Sequence, residues 1–556
     1  MMSMQKMKNR ETRNKYDKKN CRFVLNLQFL LLFVCLICFS TNLSAQKQID
    51  YRSKVGYIRP ESPDDMTLIH NVVFVHDSMT MYCDSAIYNK KENYFFAFNN
   101  IVMVQKDTRL TGDELHYYGN ERVGHLTGEK VILEDKEVTM QTDYLLLDRN
   151  DNTVRYMTGA DIWDEENTLK SKEGIYFIDD KFFNFYYSVV VTSPDATIYT
   201  DSLYYDSKKD EAIFLGPTQI DMEDSTKVLT TQGTYNTDSE EVYSEQRPQI
   251  YTKDQFITGD TIYYHRKEKR GYAFGNLFMQ DTTNDMITTC DSAVLNTIDT
   301  QSVAILTGNI LCKQIDKEDT LYFHSDTLRI EMDTNYKVYD LYGFPHCKFF
   351  REDFQGASEW CHYVVEDSIL TMLVSPMLWT ADTQLSSDTI VMETNEKGIK
   401  KLYMFPNPLI VQNSDTLTER YFNQVIGKNL TGWFEKNSIK YAEIVGNSEI
   451  VYYLWDEKKK KDSTLTTQDM QDSIDVPKTI KEKELTGVNI GKARQLNLYF
   501  NKGEIKKMTA LDNPNFYMDD DEKLPYEIKH LKGFVWKIED KPLEPMDVFI
   551  KRELKN

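Results

Sequence analysis

Glycine and proline are scarce in this sequence, which has 23 glycines and 14 prolines among 556 residues. A collagen-like chain or a low-complexity disordered chain would need far more of both. Tyrosine and phenylalanine, in contrast, occur 35 and 28 times. Because aromatic residues favour a pleated, half-buried surface, this composition predicts an ordered protein that is rich in β-strands.

Basic residues are too few for a nucleic-acid-binding protein. The chain has 66 Lys and Arg against 87 Asp and Glu, which gives a formal net charge of −21. Binding to a phosphate backbone requires clustered Lys and Arg side chains. We therefore expect no nucleic-acid partner.

The sequence also lacks the motifs of common catalytic and cofactor sites, namely a glycine-rich phosphate loop, a nucleophile elbow and a metalloprotease helix. The nearest approach to a metal site is His346-Cys347 with Cys361-His362. Adjacent residues of a strand point to opposite faces, and this spacing is not that of zinc sites. We predict no catalytic residues, no metal, no cofactor and no enzymatic activity.

Cysteines are few, and five of the eight lie after residue 45: Cys83, Cys290, Cys312, Cys347 and Cys361. An odd, widely spaced set is not a disulfide framework, although an oxidising compartment would permit a bond. We interpret most of them as small apolar residues of strands.

Only one long apolar run occurs, at residues 29–39, after a basic segment and before Leu43-Ser44-Ala45. This arrangement predicts a cleaved signal peptide over residues 1–45. Its apolar run of about eleven residues is shorter than the roughly 20 that a spanning helix needs. The strands also lack the apolar bands of a membrane barrel. The expected location is the periplasm of a Gram-negative cell, with association at the outer membrane as a further option.

What the chain does contain is a repeated strand pattern, of which residues 256–264 are a clear copy. Each copy has an acidic residue followed by apolar residues two and four positions later, which lie on one face of a strand. Successive copies lie about 30 residues apart, a spacing that indicates a repeat architecture. The acidic residues are Asp84, Asp113, Asp143, Asp201, Asp260, Asp291, Asp326 and Asp388.

A turn followed by a second alternating strand lies between the copies, as at Gly275-Asn276 and Gly308-Asn309. Glycine and asparagine tolerate the positive φ of a tight turn, so each turn marks a corner of the fold. One acid per repeat is too sparse for a calcium ladder, because Ca²⁺ needs six or more oxygen ligands. We expect the repeated aspartates to cap solvated strand ends.

The pattern divides the chain into segments. We predict a signal peptide at residues 1–45, repeats at 46–412, further strands of the same kind at 413–455, a charged flexible insertion at 456–486 and a C-terminal β block at 487–556.

The inward-facing positions are apolar along the whole repeat region, and two interpretations stay open. These side chains either fill a dry core, or they line a trough that holds acyl chains. A structural β-solenoid or adhesin with a filled core would form a parallel coil. A polysaccharide-cleaving β-helix enzyme would need acids such as Asp113 and Asp143 to converge in one groove.

The repeats resemble the OstA family, which includes the lipopolysaccharide-transport protein LptA and the periplasmic part of LptD. The resemblance rests on Gly275-Asn276-Leu277, Gly308-Asn309-Ile310 and residues 112–117, with later blocks at 427–434 and 531–536. It implies an all-β fold, an elongated, twisted antiparallel β-jelly roll that is open-ended and has no membrane barrel.

The resemblance also implies a function. Lipid A acyl chains would lie in the apolar trough, and exposed edge strands would pair with other Lpt-type jelly-roll proteins at the inner and outer membranes, or head to tail with a second copy. The expected trough residues are Ile101, Met103, Leu115, Tyr117, Val131, Leu133, Leu145, Leu147, Ile162, Leu203, Tyr205, Ile262, Tyr264, Leu277, Met279, Ala293, Leu295, Ile310, Leu328 and Ile330.

Overall fold

The structure is a computed structural model. It describes residues 48–551 except 137, 317–318, 396–397, 416–419, 459–481 and 502–503. The predicted signal peptide and most of the predicted charged insertion lie outside the described residues. The described residues divide into two compact units, residues 48–164 with 177–179 and residues 165–176 with 180–551.

The first unit consists of antiparallel strands: β1 (Asp50–Arg52), β2 (Val55–Arg59), β3 (Ser62–His76), β4 (Met79–Asn89), β5 (Tyr94–Gln105), β6 (Thr108–Tyr118), β7 (Val123–Glu134), β8 (Thr139–Asp148), β9 (Thr153–Tyr156) and β10 (Ala160–Trp163).

Strands β3 to β8 form a meander in which each strand pairs with the next one. Every one of these pairings shifts register near its middle, as between Tyr82 and Ser85 or between Phe98 and Ile101. A bulge bends the strand and increases its twist. Each long strand therefore crosses a corner and contributes one half to each of two facing rows.

The second unit begins with β11 (Thr168–Ser171), β12 (Glu173–Phe177, whose last residue belongs to the first unit), β13 (Phe182–Thr192), β14 (Ala196–Asp206), β15 (Glu211–Phe214), β16 (Thr218–Met222), β17 (Lys227–Thr230), β18 (Gln232–Asn236), β19 (Glu241–Glu245), β20 (Gln249–Tyr251), β21 (Gln255–Thr258), β22 (Thr261–His265), β23 (Arg270–Asp281), β24 (Met286–Ile298), β25 (Gln301–Thr307), β26 (Leu311–Ile315), β27 (Thr320–His324), β28 (Thr327–Asp333) and β29 (Val338–Phe344).

The second unit continues with β30 (Cys347–Phe350), β31 (Gln355–Ser358), β32 (Trp360–Val364), β33 (Ile369–Leu373), β34 (Met377–Thr380), β35 (Thr383–Ser386), β36 (Thr389–Asn395), β37 (Gly398–Phe405), β38 (Leu409–Asn413), β39 (Phe422–Ile426), β40 (Asn429–Glu435), β41 (Ser438–Lys458), β42 (Glu482–Asn501), β43 (Glu504–Leu511) and β44 (Asn515–Asp519).

Strand pairing in the second unit also produces two rows. The chain places two strands in one row, crosses a corner and places the next two in the other. Row A contains β15, β18, β19, β22, β25, β28, β29, β32, β33, β36, β37, β40 and β43, and row B contains β16, β17, β20, β21, β26, β27, β30, β31, β34, β35, β38, β39 and β44. Long strands such as β23 and β24 contribute to both rows.

The corners are where the backbone adopts positive φ. Gly275 has φ +79° and is followed by Asn276 with φ 48°, and Gly308 with φ +73° is followed by Asn309. A Cβ atom at Gly275 would also lie 2.4 Å from a carboxylate oxygen of Asp260. The corner therefore needs glycine both for its φ and for its space.

The rows pack face to face around apolar side chains. One cluster of the second unit joins Met392, Leu402 and Leu430 of row A to Leu385 and Val425 of row B. Two packed antiparallel layers, crossed repeatedly by one chain, form a β-jelly roll. The prediction of an antiparallel jelly roll is confirmed. The described strand pairings are antiparallel, so the parallel coil expected for a solenoid is not found among them.

The chain after β44 leaves the strand pattern. It forms three 3₁₀ turns, at Asp521–Lys523, Ile538–Asp540 and Pro545–Phe549, and one helix, α1 (Tyr526–Lys529). Of the predicted C-terminal β block, strands therefore occupy only the part up to Asp519. We call residues 521–549 the C-terminal strap.

The strap packs on the outer face of row B. Val535 and Ile538 pack against the cluster of Ala357, Met377 and Trp379, and Val548 joins a cluster with Leu311 and Phe350. This cover explains why strands such as β30 and β31 are buried at every position. In the described part of the chain, no helix is long and apolar enough to cross a membrane.

Candidate functional site

The repeated aspartates bind the corner of the following strand. The Asp260 carboxylate accepts a hydrogen bond from the Asn276 side chain at 2.8 Å, and Asp291 accepts one from Asn309 at the same distance. The backbone N–H of Asp260 also donates to the Gly275 carbonyl at 2.8 Å. These carboxylates hold strand ends together.

The same arrangement occurs in the first unit. Asp84 accepts a hydrogen bond from Asn100 at 2.7 Å, and Asp113 accepts one from the backbone of Glu129 at 3.1 Å. Asp143 is bonded to the hydroxyl of Thr158. Asp113 and Asp143 thus each hold a separate corner.

The residues considered for zinc are divided between different surroundings. His346 contacts Asp326 at 2.8 Å, His362 contacts Asp340 at 2.7 Å, and both histidines are partly exposed. Cys347 and Cys361 lie in the core. Among the described residues, no group of three or more His, Cys, Asp or Glu side chains is placed to hold a metal ion.

The predicted trough residues of the first unit lie inside the fold and are packed closely. Each is no more than 6% exposed: Ile101, Met103, Leu115, Tyr117, Val131, Leu133, Leu145, Leu147 and Ile162. Tyr117 also packs on the ring of Phe95, which stacks on Phe74 at 3.8 Å between ring centroids. The interior of this unit is filled in this structure.

The predicted trough residues of the second unit form two groups. Leu203, Ile262, Leu277, Ile310 and Leu328 are buried. Tyr205, Tyr264, Met279, Ala293, Leu295 and Ile330 are half-buried. The second group faces inward between the rows and is nevertheless reached by solvent.

The half-buried residues concentrate where β23, β24, β25 and β28 meet. Ala293 pairs with Ala273 and Leu306, and Leu295 pairs with Gly271 and Ala304. Below them Leu277, Leu306, Ile310 and Leu328 form a buried floor near the corner, with Met279 and Ile330 packed against it. We call this apolar groove, from residue 271 to residue 330, the open section.

The edge of the open section that faces away from the corner differs from other parts of the fold in its described polar contacts. Elsewhere, polar contacts join hairpins of opposite rows, as Asp353 to Asn437 at 2.6 Å in the second unit. The described contacts of hairpins 282–285 and 299–300 stay within their own rows. Ile298, next to the second hairpin, is 73% exposed. At the same edge, the hydroxyls of Tyr264 and Tyr336 lie 2.9 Å apart and Lys269 donates to the Thr334 carbonyl at 3.1 Å, and both contacts stay within row A. We call this edge the mouth of the open section.

Polar bridges close the corresponding edge of the first unit. Arg122 forms an ion pair with Asp77 at 2.8 Å, and Gln105 donates a hydrogen bond to Asn152 at 3.2 Å. Each bridge joins hairpins at opposite ends of the bent strands. The filled interior and the bridged edge occur together in this unit.

Two cysteines contribute apolar lining to the open section. Burial raises the pKa of Cys290 to about 12 and that of Cys312 to about 11. Both thiols are therefore protonated at neutral pH and act as small apolar groups.

Sequence patterns did not find every lining residue. Cys290, Ala304, Leu306, Cys312 and Phe323 also line the groove. The strands that carry Ala304 and Phe323 have no repeated acid before them, so the motif could not place them. Their period-two alternation was the available signal.

A second depression of about 850 Å³ lies where the strap meets β27 and β30. Its lining includes Asp319, Glu352 and Lys541. Charged walls do not suit an acyl chain, since apolar transfer needs apolar surface. The open section is therefore the candidate lipid site.

Comparison with known proteins supports a family for part of the chain. Residues 48–201 match the family model described as OstA-like protein. The chain carries an OstA-like region. This region includes the repeats around Asp84, Asp113 and Asp143, as the sequence predicts.

Among solved structures, this chain is similar to LptH of Pseudomonas aeruginosa, which is described as the LptA-homologous periplasmic component of the lipopolysaccharide transport device. The identity is 13%, over 29% of this chain and 79% of LptH, with a TM-score of 0.09. A similarity of that size carries no structural argument. A search of curated proteins gave no match.

Proposed function

We propose that this protein binds lipopolysaccharide and passes it between membranes, without catalysing a reaction. The lipid A acyl chains would enter the open section, while sugars and phosphates stay in solvent. The observation that carries the proposal is the inward-facing, half-buried set of Met279, Ala293, Leu295 and Ile330 in the open section.

Burial of the acyl chains would offset the cost of keeping them out of a membrane. Each methylene group removed from water contributes about 0.8 kcal/mol, so ten methylene groups contribute about 8 kcal/mol before ordering costs are subtracted. Protein side chains in the groove gain as well, because Leu295 and Ile330 lose their remaining contact with water. An acyl chain is therefore a better occupant than water.

The proposed location is the periplasm. The OstA-like region supports this location, as does the predicted signal peptide. The trough residues of the first unit belong to the same proposal, with one condition. Lipid would reach Leu145 or Leu147 only when the bridges from Asp77 to Arg122 and from Gln105 to Asn152 open.

Edge strands offer sites for other jelly-roll proteins or for a second copy. β2 (Val55–Arg59) pairs with β3, and all five of its residues are exposed. β44 pairs with β42 at the other end of the strand series. An unpaired strand edge accepts a further strand through backbone hydrogen bonds. We propose that partners on the path to the outer membrane bind there.

A structural role is the alternative, and the filled interior of the first unit favours it. Transport and a structural role predict different binding of lipopolysaccharide acyl chains. Titration of the purified exported chain with lipopolysaccharide and with its fully deacylated form separates them. Saturable binding of the acylated form alone supports transport. Equal binding of both forms, or no binding, supports the structural role.

A further inference from the structure

Two cysteines lie side by side at a corner of the second unit, outside the open section. Cys347 begins β30 in row B and is 1% exposed, and Cys361 is the second residue of β32 in row A and is 4% exposed. Both are thiols in this structure. The proposed lipid site uses neither of them.

Strand pairing brings these residues together. Cys347 is paired with Ser358, and the hydroxyl of Ser358 lies 3.1 Å from the sulfur of Cys361. Cys361 is paired with Gly343, and a Cβ atom added to Gly343 would lie 3.0 Å from the sulfur of Cys347. Each sulfur thus lies beside the strand partner of the other cysteine.

Their surroundings show that each thiol faces the other. Burial and the neighbouring Cys361 thiol both raise the pKa of Cys347, the thiol contact having the larger effect. Both residues belong to one apolar cluster with Phe349 and Met372. Gly343 leaves room between the strands, because a Cβ atom there would lie 2.7 Å from Cζ of Phe323 and 3.0 Å from the Cys347 sulfur.

We propose that Cys347 and Cys361 form a disulfide bond in the exported protein. Each thiol gives up its proton, and the two sulfurs form one S–S bond. A disulfide of the export compartment, on a protein or a small thiol, accepts the two electrons and becomes two thiols. The inference rests on the proposed export, because the cytosol would keep both residues reduced.

The bond would link row A to row B beside the open section. It would join β30 and β32, whose own strand partners lie in different rows. One side of the groove would then be fixed. Buried thiols with raised pKa react slowly, so pairing is expected during folding, before the cluster closes.

Cys290 and Cys312 provide a matched control pair in the same unit. Cys290 is paired with Leu277, and Cys312 is paired with Thr288, whose hydroxyl donates to its sulfur at 3.6 Å. This pair lies on neighbouring strands of one row. A bond there would not link the rows.

The test uses the purified chain from residue 46, unfolded and refolded in a buffer of oxidised and reduced glutathione, and the same chain isolated from the periplasm. We expect the intact mass to fall by two hydrogen atoms and peptide mapping to join Cys347 to Cys361. The mass loss should vanish in Cys347→Ser and persist in Cys312→Ser. Differential alkylation of the unmodified chain gives the same answer if a variant fails to fold.

Other results overturn the proposal. These are complete alkylation of Cys347 and Cys361 after refolding, or a linkage that maps to Cys290 and Cys312. Refolding tests the pairing itself and does not depend on export or lipid. A disulfide that forms on refolding but is missing from the periplasmic chain would contradict the claim for the exported protein. Neither result bears on lipopolysaccharide binding, which the titration measures separately.

Discussion

The carboxylate of Asp260 holds the side chain of Asn276 at 2.8 Å, across the corner that bends β23. Asp291 and Asn309 repeat this contact at the next such corner. The acid that recurs through the sequence is therefore a structural clamp. It explains why the acid and the Gly-Asn turn occur together.

The clamp predicts a measurable coupling. Asp260→Ala and Asn276→Ala should each destabilise the protein, and a double-mutant cycle should give a coupling of about 0.5–1.5 kcal/mol, as expected for a solvent-exposed hydrogen bond. Denaturant unfolding measures it. The pair of Asp260→Ala with Asn309→Ala is the control and should be additive. A coupling energy of zero between Asp260 and Asn276 would contradict the structural role of this hydrogen bond.

If the open section binds lipid, substitutions at the adjacent residues Leu295 and Val294 should affect lipopolysaccharide binding differently. Leu295 faces inward and is half-buried, whereas Val294 faces outward and is 42% exposed. Leu295→Asp should weaken lipopolysaccharide binding at least tenfold, about 1.4 kcal/mol, because a carboxylate would meet the acyl chain. Val294→Asp should leave the affinity unchanged. Isothermal titration of both variants checks this, and equal affinities would contradict the site.

In the first unit, the equivalent aspartate substitution is expected to reduce the stability of the protein. Leu147 occupies the same repeat position as Leu295 but is 2% exposed. Leu147→Asp buries an unpaired charge, so we expect a loss of several kcal/mol of stability. Circular dichroism during thermal unfolding compares the two aspartate variants. A smaller loss for Leu147→Asp than for Leu295→Asp would show that the first unit is the looser one.

One buried glutamine predicts how the C-terminal strap is held. The buried Gln384 side chain donates to the Val535 carbonyl and accepts from the Lys537 N–H, both at 2.8 Å. Gln384→Leu leaves both strap groups unpaired and should cost about 2–4 kcal/mol. Hydrogen exchange should rise at residues 530–541. The exposed Gln249→Leu is the control, and unchanged exchange in Gln384→Leu would argue against this attachment.

His324 predicts a pH dependence of the free energy of unfolding. Burial lowers its pKa from the usual 6.5, although the Ile310 carbonyl, 2.7 Å away, and Asp326 oppose the shift and Lys551 adds to it. Because the unfolded chain binds this proton more readily, the stability is complete above pH 6.5 and falls as the pH drops below it. His324→Gln should flatten that part of the profile of unfolding free energy against pH. A profile identical to the unmodified chain would contradict the assignment.

The sequence was sufficient to predict strands, corners and which side chains face inward. Period-two alternation placed Leu115 and Leu328 on the inner face, and positive φ at Gly275 and Gly308 matches the predicted corners. These features depend on local rules. A glycine before an asparagine, or an apolar residue two positions after an acid, has the same effect in each repeat.

Features that depend on distant contacts could not be predicted. Leu147 and Leu295 have the same local sequence pattern. In the first unit, polar side chains join hairpins at opposite ends of the bent strands. In the second unit, the described contacts of hairpins 282–285 and 299–300 stay within one row. The strap was also missed, because Gln384 and Val535 are 151 residues apart. The strap buries the outer faces of β30 and β31, and the repeat motif does not distinguish these strands from ordinary ones.

The most direct test of the central claim is photo-crosslinking in growing cells. A photoreactive amino acid at position 295 should form an adduct with lipopolysaccharide, and the same amino acid at position 294 should form none. Adducts at both positions, or no adduct at 295 in a folded and exported protein, would contradict the claim that acyl chains occupy the open section.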